Sequence, residues 1–333
     1  MRGSLGKAVV RRVTCQQFGP PEGLVIEEGP DPHAGPGEVV VAVRAAGVSF
    51  VDGLIVAGGY QVKPALPFTP GLTVAGDVVE IGDGASGVAV GDRVAATSMA
   101  LGGYASHRVL PAAALNLLPD GLAYDVAATA VESYATMVFA LTRRTTVTPG
   151  EWMLVLGAGG GIGLAAVDVG RSLGLRMIAA AAGEPKRAAA LEAGAEVAID
   201  YQEEDLKARV REITGGGADL VVDPVGDRYA EPALRSMGPF GRYLVIGFAG
   251  GSIPKLAANL VLLENRTVVG IDWGAWGRRD PTGNLALVDE VFAGIAAGRY
   301  RPPTPTAFPL EEAADALTLL AQRRVTGKLV LKP

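Results

Sequence analysis

The sequence has very few of the side chains that bind transition metals, since it contains one cysteine, Cys15, and two histidines, His33 and His107. A four-cysteine structural zinc site is therefore excluded, and no Cys/His zinc site is expected. Cys15 lies in a strand-like segment, where a free thiol acts as a small buried hydrophobe. His107 follows Gly-Gly-Tyr-Ala-Ser on another strand-like run, and we interpret it as structural.

Three further absences narrow the class of protein. The net charge of −5 offers no basic face for nucleic acid. No uncharged apolar run reaches the roughly 18 residues of a membrane span, and the N-terminus MRGSLGKAVV lacks the apolar core of a signal peptide. We therefore predict a cytoplasmic protein without membrane partners. The G-x-S-x-G nucleophile elbow of hydrolases is also absent.

The most informative segment that is present is Glu151–Gly174, which has the pattern of a buried strand, a glycine-rich turn and a helix. Trp152–Leu156 is a short apolar run suited to a central parallel strand, and the apolar spacing becomes helical from Ile162 onward. Ala158–Gly163 fits A-x-G-x-x-G, one residue away from the dinucleotide-binding pattern G-x-G-x-x-G. The alternative interpretation is an ordinary tight turn.

Each part of this turn has a predicted role in binding a cofactor. Gly160 would let the backbone approach a pyrophosphate, and Gly163 would let the helix pack closely on the strand. The unsatisfied N–H groups of the first helical turn, which includes Gly161 and Ile162, would face the anion together with the positive end of the helix dipole. The turn therefore predicts a phosphate-binding element.

Strand-like and helix-like segments alternate after this turn. The predicted strands are Arg176–Ala180, Glu196–Ile199, Ala218–Asp223, Arg242–Ile246 and Asn265–Ile271. The predicted helices between them are Pro185–Ala193, Glu203–Ile213 and Asp227–Met237. Such alternation indicates a parallel sheet covered on both faces. Residues 124–271 are therefore predicted to form an α/β domain with a Rossmann-type, doubly wound sheet.

The flanking regions have a different pattern. Residues 7–118 contain short strand runs punctuated by Gly-Pro and Gly-Asp turns, which is typical of a mostly β domain. The tail contains two helix-like segments, Asn284–Ala297 and Leu310–Arg323, and a final strand-like run. We predict that the tail returns to the first domain. Residues 1–123 and 272–333 would then form one domain, with the cofactor cleft between the two domains.

Several segments carry a family resemblance that covers nearly the whole chain. They are FGPPEGLVIEE (18–28), AAGVSFVDG (45–53), PFTPGLTVAGDVVEIGDG (67–84), GDRV (91–94), GGYA (102–105), the glycine turn and GKLVL (327–331). With them the chain resembles the zinc-independent quinone oxidoreductase branch of the medium-chain dehydrogenase/reductase superfamily. The resemblance implies a GroES-like, mostly β catalytic domain beside the Rossmann domain. At the positions where zinc-dependent relatives carry catalytic ligands, this chain has Ser49, Leu72 and Thr73, so no metal is expected.

The choice of cofactor depends on the end of the second predicted strand. NAD-binding Rossmann domains carry an acidic residue there for the ribose 2′-hydroxyl, but residues 180–183 are Ala-Ala-Ala-Gly, ending at Gly183. Lys186 and Arg187 follow, and the resemblance implies that Lys186 and Tyr201 contact a 2′-phosphate. We therefore predict NADPH rather than NADH. The alternative is a solvated helix face, with Tyr201 as a turn aromatic.

The resemblance implies further cofactor contacts. They are Thr136 near the nicotinamide ribose, the loop 223–226 with Val225, and Gly247 with Phe248. Open α/β sheets bind ligands beyond the carboxyl ends of their strands, so Val225 and Phe248 would flank the nicotinamide. These segments could also be ordinary strand-end turns.

On the substrate side the resemblance points to Ser49, Asp52, Tyr60 and Asn259. Related chains have asparagine where this one has Ser49. Asp52 could instead be the N-cap of the short segment that follows it. Tyr60 could donate a hydrogen bond or a proton, or be a loop tyrosine. Asn259 lies in a segment that we predict pairs with a second subunit along the edge of the sixth strand, giving a homodimer.

The predicted reaction is hydride transfer from NADPH to a quinone or a related α,β-unsaturated carbonyl compound. Without zinc there is no Lewis acid to polarise a simple carbonyl, which disfavours alcohol dehydrogenation. Two alternatives remain open. One is reduction of an enoyl thioester, for which Arg278 and Arg279 are the only obvious cations for a coenzyme A phosphate. The other is a non-catalytic NADPH-binding protein with a structural or nucleic-acid-binding role.

Overall fold

The computed structural model describes residues 10–333, and contacts divide this range into two units. The first is the described part of Met1–Val131 together with Pro303–Pro333, and the second is Glu132–Pro302. Residues 272–302 thus fall in the second unit, whereas the sequence pattern predicted that they belong to the first. An ion pair between Arg143 and Glu290 (2.7 Å) is one contact that ties this segment to the second unit.

The strands are, in chain order, β1 Val10–Cys15, β2 Leu24–Gly29, β3 Glu38–Val48, β4 Thr73–Ile81, β5 Arg93–Thr97, β6 His107–Pro111, β7 Asn116–Leu117, β8 Trp152–Leu156, β9 Arg176–Ala180, β10 Val197–Ile199, β11 Ala218–Asp223, β12 Met237–Val245, β13 Thr267–Gly270, β14 Thr306–Pro309 and β15 Leu329–Lys332.

The α-helices are α1 Phe50–Val56, α2 Tyr124–Phe139, α3 Gly161–Ser172, α4 Glu184–Glu192, α5 Leu206–Thr214, α6 Ala230–Ser236, α7 Ala258–Leu262, α8 Trp273–Arg279, α9 Pro281–Ala296 and α10 Ala313–Ala321. Short 3₁₀ turns precede α6, at Asp227–Tyr229, and α10, at Leu310–Glu312. Among residues 10–333, no helix is both long and apolar enough to cross a bilayer.

The second unit contains a six-stranded sheet in the order β10-β9-β8-β11-β12-β13. All five pairings are parallel. Strand β8 lies in the middle, and Met153 to Leu156 are fully buried in it, as expected for a strand covered on both faces. This order is that of a doubly wound sheet, with the chain reversing direction across the sheet between β8 and β11. The predicted fold class is confirmed.

The first unit contains a seven-stranded sheet in the order β14-β15-β3-β4-β5-β7, with β6 also paired to β3, and a separate β1-β2 hairpin. Strand β3 is its longest, and Val39, Val41 and Val43 enter one apolar core with Leu317 of α10 and Leu331 of β15. The C-terminal strand therefore completes the core of the first unit, because β15 pairs antiparallel with β3. The mostly β character of this unit is as predicted.

One difference from the predicted elements lies in β12. It was expected to begin at Arg242 but begins at Met237, and its pairing with β11 shifts register between Ala218 and Leu220. Phe240, in that irregular stretch, has φ +58°. Such a bulged start has no period of two in the sequence, so periodicity alone could not reveal it.

Candidate functional site

The glycine turn joins β8 to α3 in the second unit. Gly157 has φ +60°, a conformation that favours glycine. A Cβ on Gly163 would lie 2.3 Å from the carbonyl oxygen of Gly157, so only glycine lets α3 pack this closely on the strand. By contrast, a Cβ on Gly160 would meet nothing nearer than 3.5 Å. The predicted packing role of Gly163 is thus matched by the local geometry.

The start of α3 has backbone donors that the helix does not use. Gly160 is the N-cap, with no side chain to cap the helix. The amide of Leu164 donates to the Gly160 carbonyl at 2.9 Å, and the amides of Gly161, Ile162 and Gly163 precede this bond. Such donors and the helix dipole favour an anion. Ala158 is fully buried beneath them.

Lys186 lies directly against the glycine turn. A Cβ on Gly159 would come within 2.4 Å of the Lys186 Cβ, so the absence of a side chain at this position is what allows α4 to approach. The sequence pattern assigned Gly159 no role, because it is a variable position of the motif. Its contact with Lys186 brings the residue predicted to contact a 2′-phosphate next to the turn predicted to bind the pyrophosphate.

Arg187, which follows Lys186 in the sequence, is paired with a carboxylate of the protein. It forms an ion pair with Asp200, the residue after β10. Asp200 also accepts from the amides of Gln202 (3.1 Å) and Gly183 (3.4 Å). Burial by itself would raise the pKa of Asp200. The two amides and Arg187 have the larger, opposite effect, so the pKa of Asp200 lies below its ordinary value. An acid thus stands near the end of the second strand, already held by a cation.

Tyr201 packs in a tilted arrangement against a second aromatic residue that the sequence analysis missed. Its ring centroid lies 4.3 Å from that of Tyr229. The guanidinium of Arg228 lies 5.0 Å from the Tyr229 ring centroid and donates to the Tyr229 hydroxyl at 2.9 Å. The Arg-Tyr pair directly after the loop 223–226 was the available signal. Arg228 adds a cation beside Tyr201.

The loop after β11 is shaped by one buried carboxylate, Asp223. It accepts from the amides of Val225 (2.8 Å) and Gly226 (2.7 Å), and from the hydroxyl of Tyr243 on β12. Burial raises the pKa of Asp223 despite these hydrogen bonds. A Cβ on Gly226 would lie 3.0 Å from the ring of Phe248. The predicted contacts at Val225 and Phe248 therefore share one rigid strand-end structure.

Two other predicted cofactor residues lie at ends of elements in this unit. Gly247 follows β12, and its amide donates to the Asp223 carbonyl at 3.3 Å. Thr136 is buried on α2, and its hydroxyl donates to the Glu132 carbonyl at 2.6 Å. That bond leaves the lone pairs of the hydroxyl oxygen to accept a further hydrogen bond.

In the first unit, Ser49 and Asp52 form a reciprocal capping box at the start of α1. The Ser49 hydroxyl accepts from the Asp52 amide (3.2 Å), and the Asp52 carboxylate accepts from the Ser49 amide (2.8 Å). The N-cap is therefore Ser49, and the proposed capping role of Asp52 needs correction, since Asp52 is the third helical residue. The hydroxyl of Tyr104 donates to the same carboxylate at 3.0 Å.

A buried cation, Arg108, accompanies this capping box. It donates to the carbonyl of Leu72 at 3.4 Å. Burial lowers the pKa of Arg108 to about 10, while the nearby Asp52 charge opposes that shift. Ser49, Leu72 and Thr73, at the positions of the ligands in zinc-dependent relatives, are all buried here. No group of three or more His, Cys, Asp or Glu side chains within the described range could hold a metal.

The remaining predicted substrate residues are divided between the units. Tyr60 packs with Ile55, Leu72 and Leu101 in a small apolar cluster of the first unit. Asn259 is exposed on α7 of the second unit, in the segment that leads to the edge strand β13. The structure thus brings Ser49 and Asp52 into contact and packs Tyr60 against an apolar cluster that includes Ile55 of the same helix.

Comparison with known proteins identifies the family. A "Zinc-binding dehydrogenase" model matches residues 161–290, and an "Alcohol dehydrogenase GroES-like domain" model matches residues 35–120. A quinone oxidoreductase-like protein 2 homolog of Nematostella vectensis is 35% identical, with 98% of this chain and 90% of that protein aligned. A quinone oxidoreductase of Pseudomonas aeruginosa is 34% identical, over 98% of this chain and 100% of the relative. The chain belongs to the zinc-independent quinone oxidoreductase branch of the medium-chain dehydrogenase/reductase superfamily.

Solved structures of this family have the same architecture. The Escherichia coli quinone oxidoreductase, described as complexed with NADPH, superposes with a TM-score of 0.90 at 29% identity, covering 97% of this chain and 100% of that one. A quinone oxidoreductase of Pseudomonas syringae superposes equally well, with a TM-score of 0.90 at 31% identity and the same coverage of both chains.

Proposed function

We propose that the protein is an NADPH-dependent reductase that transfers hydride to quinones or related α,β-unsaturated carbonyl compounds without zinc. The observation that carries the proposal is the close packing of Lys186 on the glycine turn, where a Cβ on Gly159 would lie 2.4 Å from the Lys186 Cβ. It joins a dinucleotide-binding turn to a cation, while residues 181–183 offer no carboxylate for a ribose 2′-hydroxyl. Two relatives of known structure are described as NADPH complexes, which supports the same cofactor here.

The proposed binding mode assigns the cofactor phosphates to named residues. The backbone of Gly160, Gly161 and Ile162 would bind the pyrophosphate. Lys186 and Tyr201 would contact the 2′-phosphate, where an ammonium pairs well with a dianion. Arg187 is engaged with Asp200 and contributes less than its position suggested.

The nicotinamide end would be held by the loop that Asp223 shapes. Val225 and Phe248 would flank the ring, with Gly247 giving close backbone approach and Thr136 accepting from the ribose. NADPH supplies a hydride from its nicotinamide C4. These residues would orient the ring and exclude water, which is the protein's share of such a reaction.

On the substrate side, Tyr60 is the proposed hydrogen-bond donor to the acceptor oxygen. The reciprocal bonds of Ser49 and Asp52 support a positioning role for these two residues, in which they hold α1 in place. Asn259, which is exposed on α7, stays a predicted substrate residue. For a quinone, the oxygen that gains negative charge can take its proton from solvent, so no strong general acid is required.

We also propose that the protein is a cytoplasmic homodimer that pairs through β13. The support is the exposure of apolar side chains on β13 and just before it, with Val268 39% and Leu262 75% exposed. Monomeric proteins rarely leave such a group open beside an unpaired strand edge.

The deciding experiment follows NADPH oxidation with benzoquinone, 9,10-phenanthrenequinone, an alkenal and crotonyl coenzyme A, each repeated with NADH. Turnover of a quinone or the alkenal with a preference for NADPH is the expected result. Turnover of crotonyl coenzyme A alone would replace the proposal with enoyl-thioester reduction. Tight NADPH binding with no turnover of any acceptor would overturn the catalytic assignment and leave a cofactor-binding protein.

A further inference from the structure

A basic pocket lies in the second unit, where α5, the end of α6 and the segment between α7 and β13 meet. Its volume is about 140 Å³, and its lining is Lys207, Arg211, Arg235, Leu260, Leu263, Glu264 and Arg266. Arg235 and Arg266 stand just before β12 and β13. The pocket therefore lies toward the amino ends of these strands, whereas the glycine turn follows the carboxyl end of β8.

The pocket holds more positive than negative charge. Four cationic side chains line it against one carboxylate, Glu264. A second carboxylate, Glu231, pairs with Arg235 at 2.7 Å from outside the lining. Counting both, four cations face two acids, so an excess of two positive charges remains. Lys207 forms no ion pair with any residue of the described range.

Arg266 is the buried member of the pocket lining, with 7% of its surface exposed. Its guanidinium donates to the carbonyls of Met237, Gly238 (3.4 Å) and Leu260 (3.1 Å), and within residues 10–333 it meets no carboxylate at ion-pair distance. Burial lowers the pKa of Arg266, and the positive charges of Arg211 and Arg235 lower it as well. The negative charge of Glu264 acts in the opposite direction. A buried cation without a paired anion is costly.

The arrangement of the other cations is constrained by the backbone. Arg211 donates its Nε–H to the carbonyl of Arg235 at 3.3 Å, which leaves its terminal amino groups for another acceptor. Lys207 stands one helical turn before Arg211 on α5, so the two side chains share a face. Three exposed cations thus surround an opening above a buried one.

We propose that this pocket binds a small dianionic oxyanion, of the phosphate or sulfate class, independently of the cofactor. A phosphate dianion would match the excess charge and accept several charge-assisted hydrogen bonds. The volume exceeds the roughly 10–15 Å³ that one water needs, and is below the roughly 300–1,000 Å³ of pockets for drug-sized ligands. A free anion, or the terminal phosphate of a larger metabolite, fits this range, whereas a whole dinucleotide does not.

The test is calorimetric titration of the full-length protein with inorganic phosphate, at constant ionic strength in chloride and without other oxyanions. We expect saturable binding that Arg211→Ala weakens about tenfold or more, as loss of a charge-assisted contact predicts. Glu264→Gln should tighten binding, because it removes a repelling carboxylate. Arg209→Ala, which removes a cation of the same helix α5 outside the lining, is the matched control and should leave this binding unchanged. Lys186→Ala tests whether phosphate binds at the proposed cofactor site instead. Arg266→Ala is unsuitable, since it would leave three carbonyls without a donor.

The outcomes distinguish a free anion from the phosphate group of a larger metabolite, and binding in this pocket from binding elsewhere. Equal binding of glycerol 3-phosphate would assign the pocket to phosphate end groups, and weaker binding would assign it to the free anion. Unchanged affinity in Arg211→Ala, loss of binding only in Lys186→Ala, or no saturable binding would each overturn the proposal. If Arg211→Ala melts below the wild type, Lys207→Gln replaces it. None of these readings depends on quinone turnover.

Discussion

At the scale of single residues, the partner of a side chain decides what it can do for a ligand. Lys186 and Arg187 are neighbours in the sequence with the same charge, yet Arg187 is held by Asp200 while Lys186 packs on the glycine turn. Two adjacent cations therefore pack against different elements of the same domain. The local sequence shows both charges but not the ion pair, because Asp200 comes from the next strand.

Replacing Lys186 by alanine should raise the KM for NADPH by about tenfold or more and leave kcat nearly unchanged. The expected loss is that of one charge-assisted hydrogen bond, about 1.5–3 kcal/mol. Steady-state kinetics with both cofactors checks this. The KM for NADH, which has no 2′-phosphate, is the control and should not change. An equal rise for both cofactors would show that Lys186 acts on the turn and not on the phosphate.

Glu151 provides a test of pH dependence. Burial would raise its pKa, but hydrogen bonds from Arg242 (2.6 Å) and the Thr148 amide (2.9 Å) lower it below its ordinary value of 4.5. The pair therefore stabilises the fold above that pH, and its contribution is lost as the pH falls through the folded-state pKa.

We expect Glu151→Gln to lower the free energy of unfolding by about 1 kcal/mol at pH 7, and the difference should vanish as the medium becomes acidic. Urea denaturation at several pH values measures it. The control is Glu196→Gln, which removes an exposed ion pair with Arg176 (2.9 Å) and should cost less. A constant difference down to pH 3 would contradict this account.

At the scale of elements, the starts of α1 and α3 show two ways of treating the backbone N–H groups that a helix leaves unsatisfied. At α1 the capping box of Ser49 and Asp52 serves the helix itself, with Tyr104 fixing the same carboxylate. At α3 the N-cap is Gly160, which has no side chain, so the first amides stay open to an anion. The two helices thus use opposite solutions for their unsatisfied donors.

Ser49→Ala should cost about 1 kcal/mol of stability, as expected for loss of an N-cap. Ser49→Asn should retain stability, because asparagine caps helices equally well and is the residue that the family resemblance implies at this position. The free energy of unfolding of both variants can be compared by denaturant titration. An equal loss in both would show that the hydroxyl is needed for contacts other than the cap.

The glycine turn allows a matched pair of substitutions. In Gly163→Ala the new Cβ would lie 2.3 Å from the Gly157 carbonyl oxygen, so we expect a loss of about 1–3 kcal/mol from overpacking. In Gly160→Ala the nearest atom is 3.5 Å away, so stability should be kept. NADPH binding, measured by calorimetry, should weaken in Gly160→Ala all the same, because the methyl group blocks approach of the pyrophosphate. Full binding in that variant would place the pyrophosphate elsewhere.

At the scale of the whole molecule, the edge of the six-stranded sheet determines the expected assembly. Strand β13 is paired on one side only, with β12, and Val268 on it is partly exposed. We expect the wild type to be a dimer and Leu262→Glu with Val268→Lys to be a monomer that keeps its fold. Light scattering after size exclusion measures both masses. A monomeric wild type would rule out the proposed sheet pairing.

The pattern of elements could be derived from the chain because each signal is local. Strands β8, β9 and β11 begin and end where the apolar runs predicted, and the glycine turn was recognised from six consecutive residues. Helix α2 and the bulged start of β12 were not foreseen, because α2 has buried residues on nearly all its faces and the bulge has no period.

The sequence by itself determined the fold class, the glycine turn and the scarcity of cysteine and histidine, because composition, periodicity and short motifs can be read without knowing how the chain packs. The tertiary structure decided which charges are engaged. Asp200 with Arg187, Tyr104 with Asp52, and the cations around Arg266 come from separate segments. Their contacts depend on how elements pack together, which no local pattern encodes, and the same packing sets the dielectric environment that shifts their pKa values.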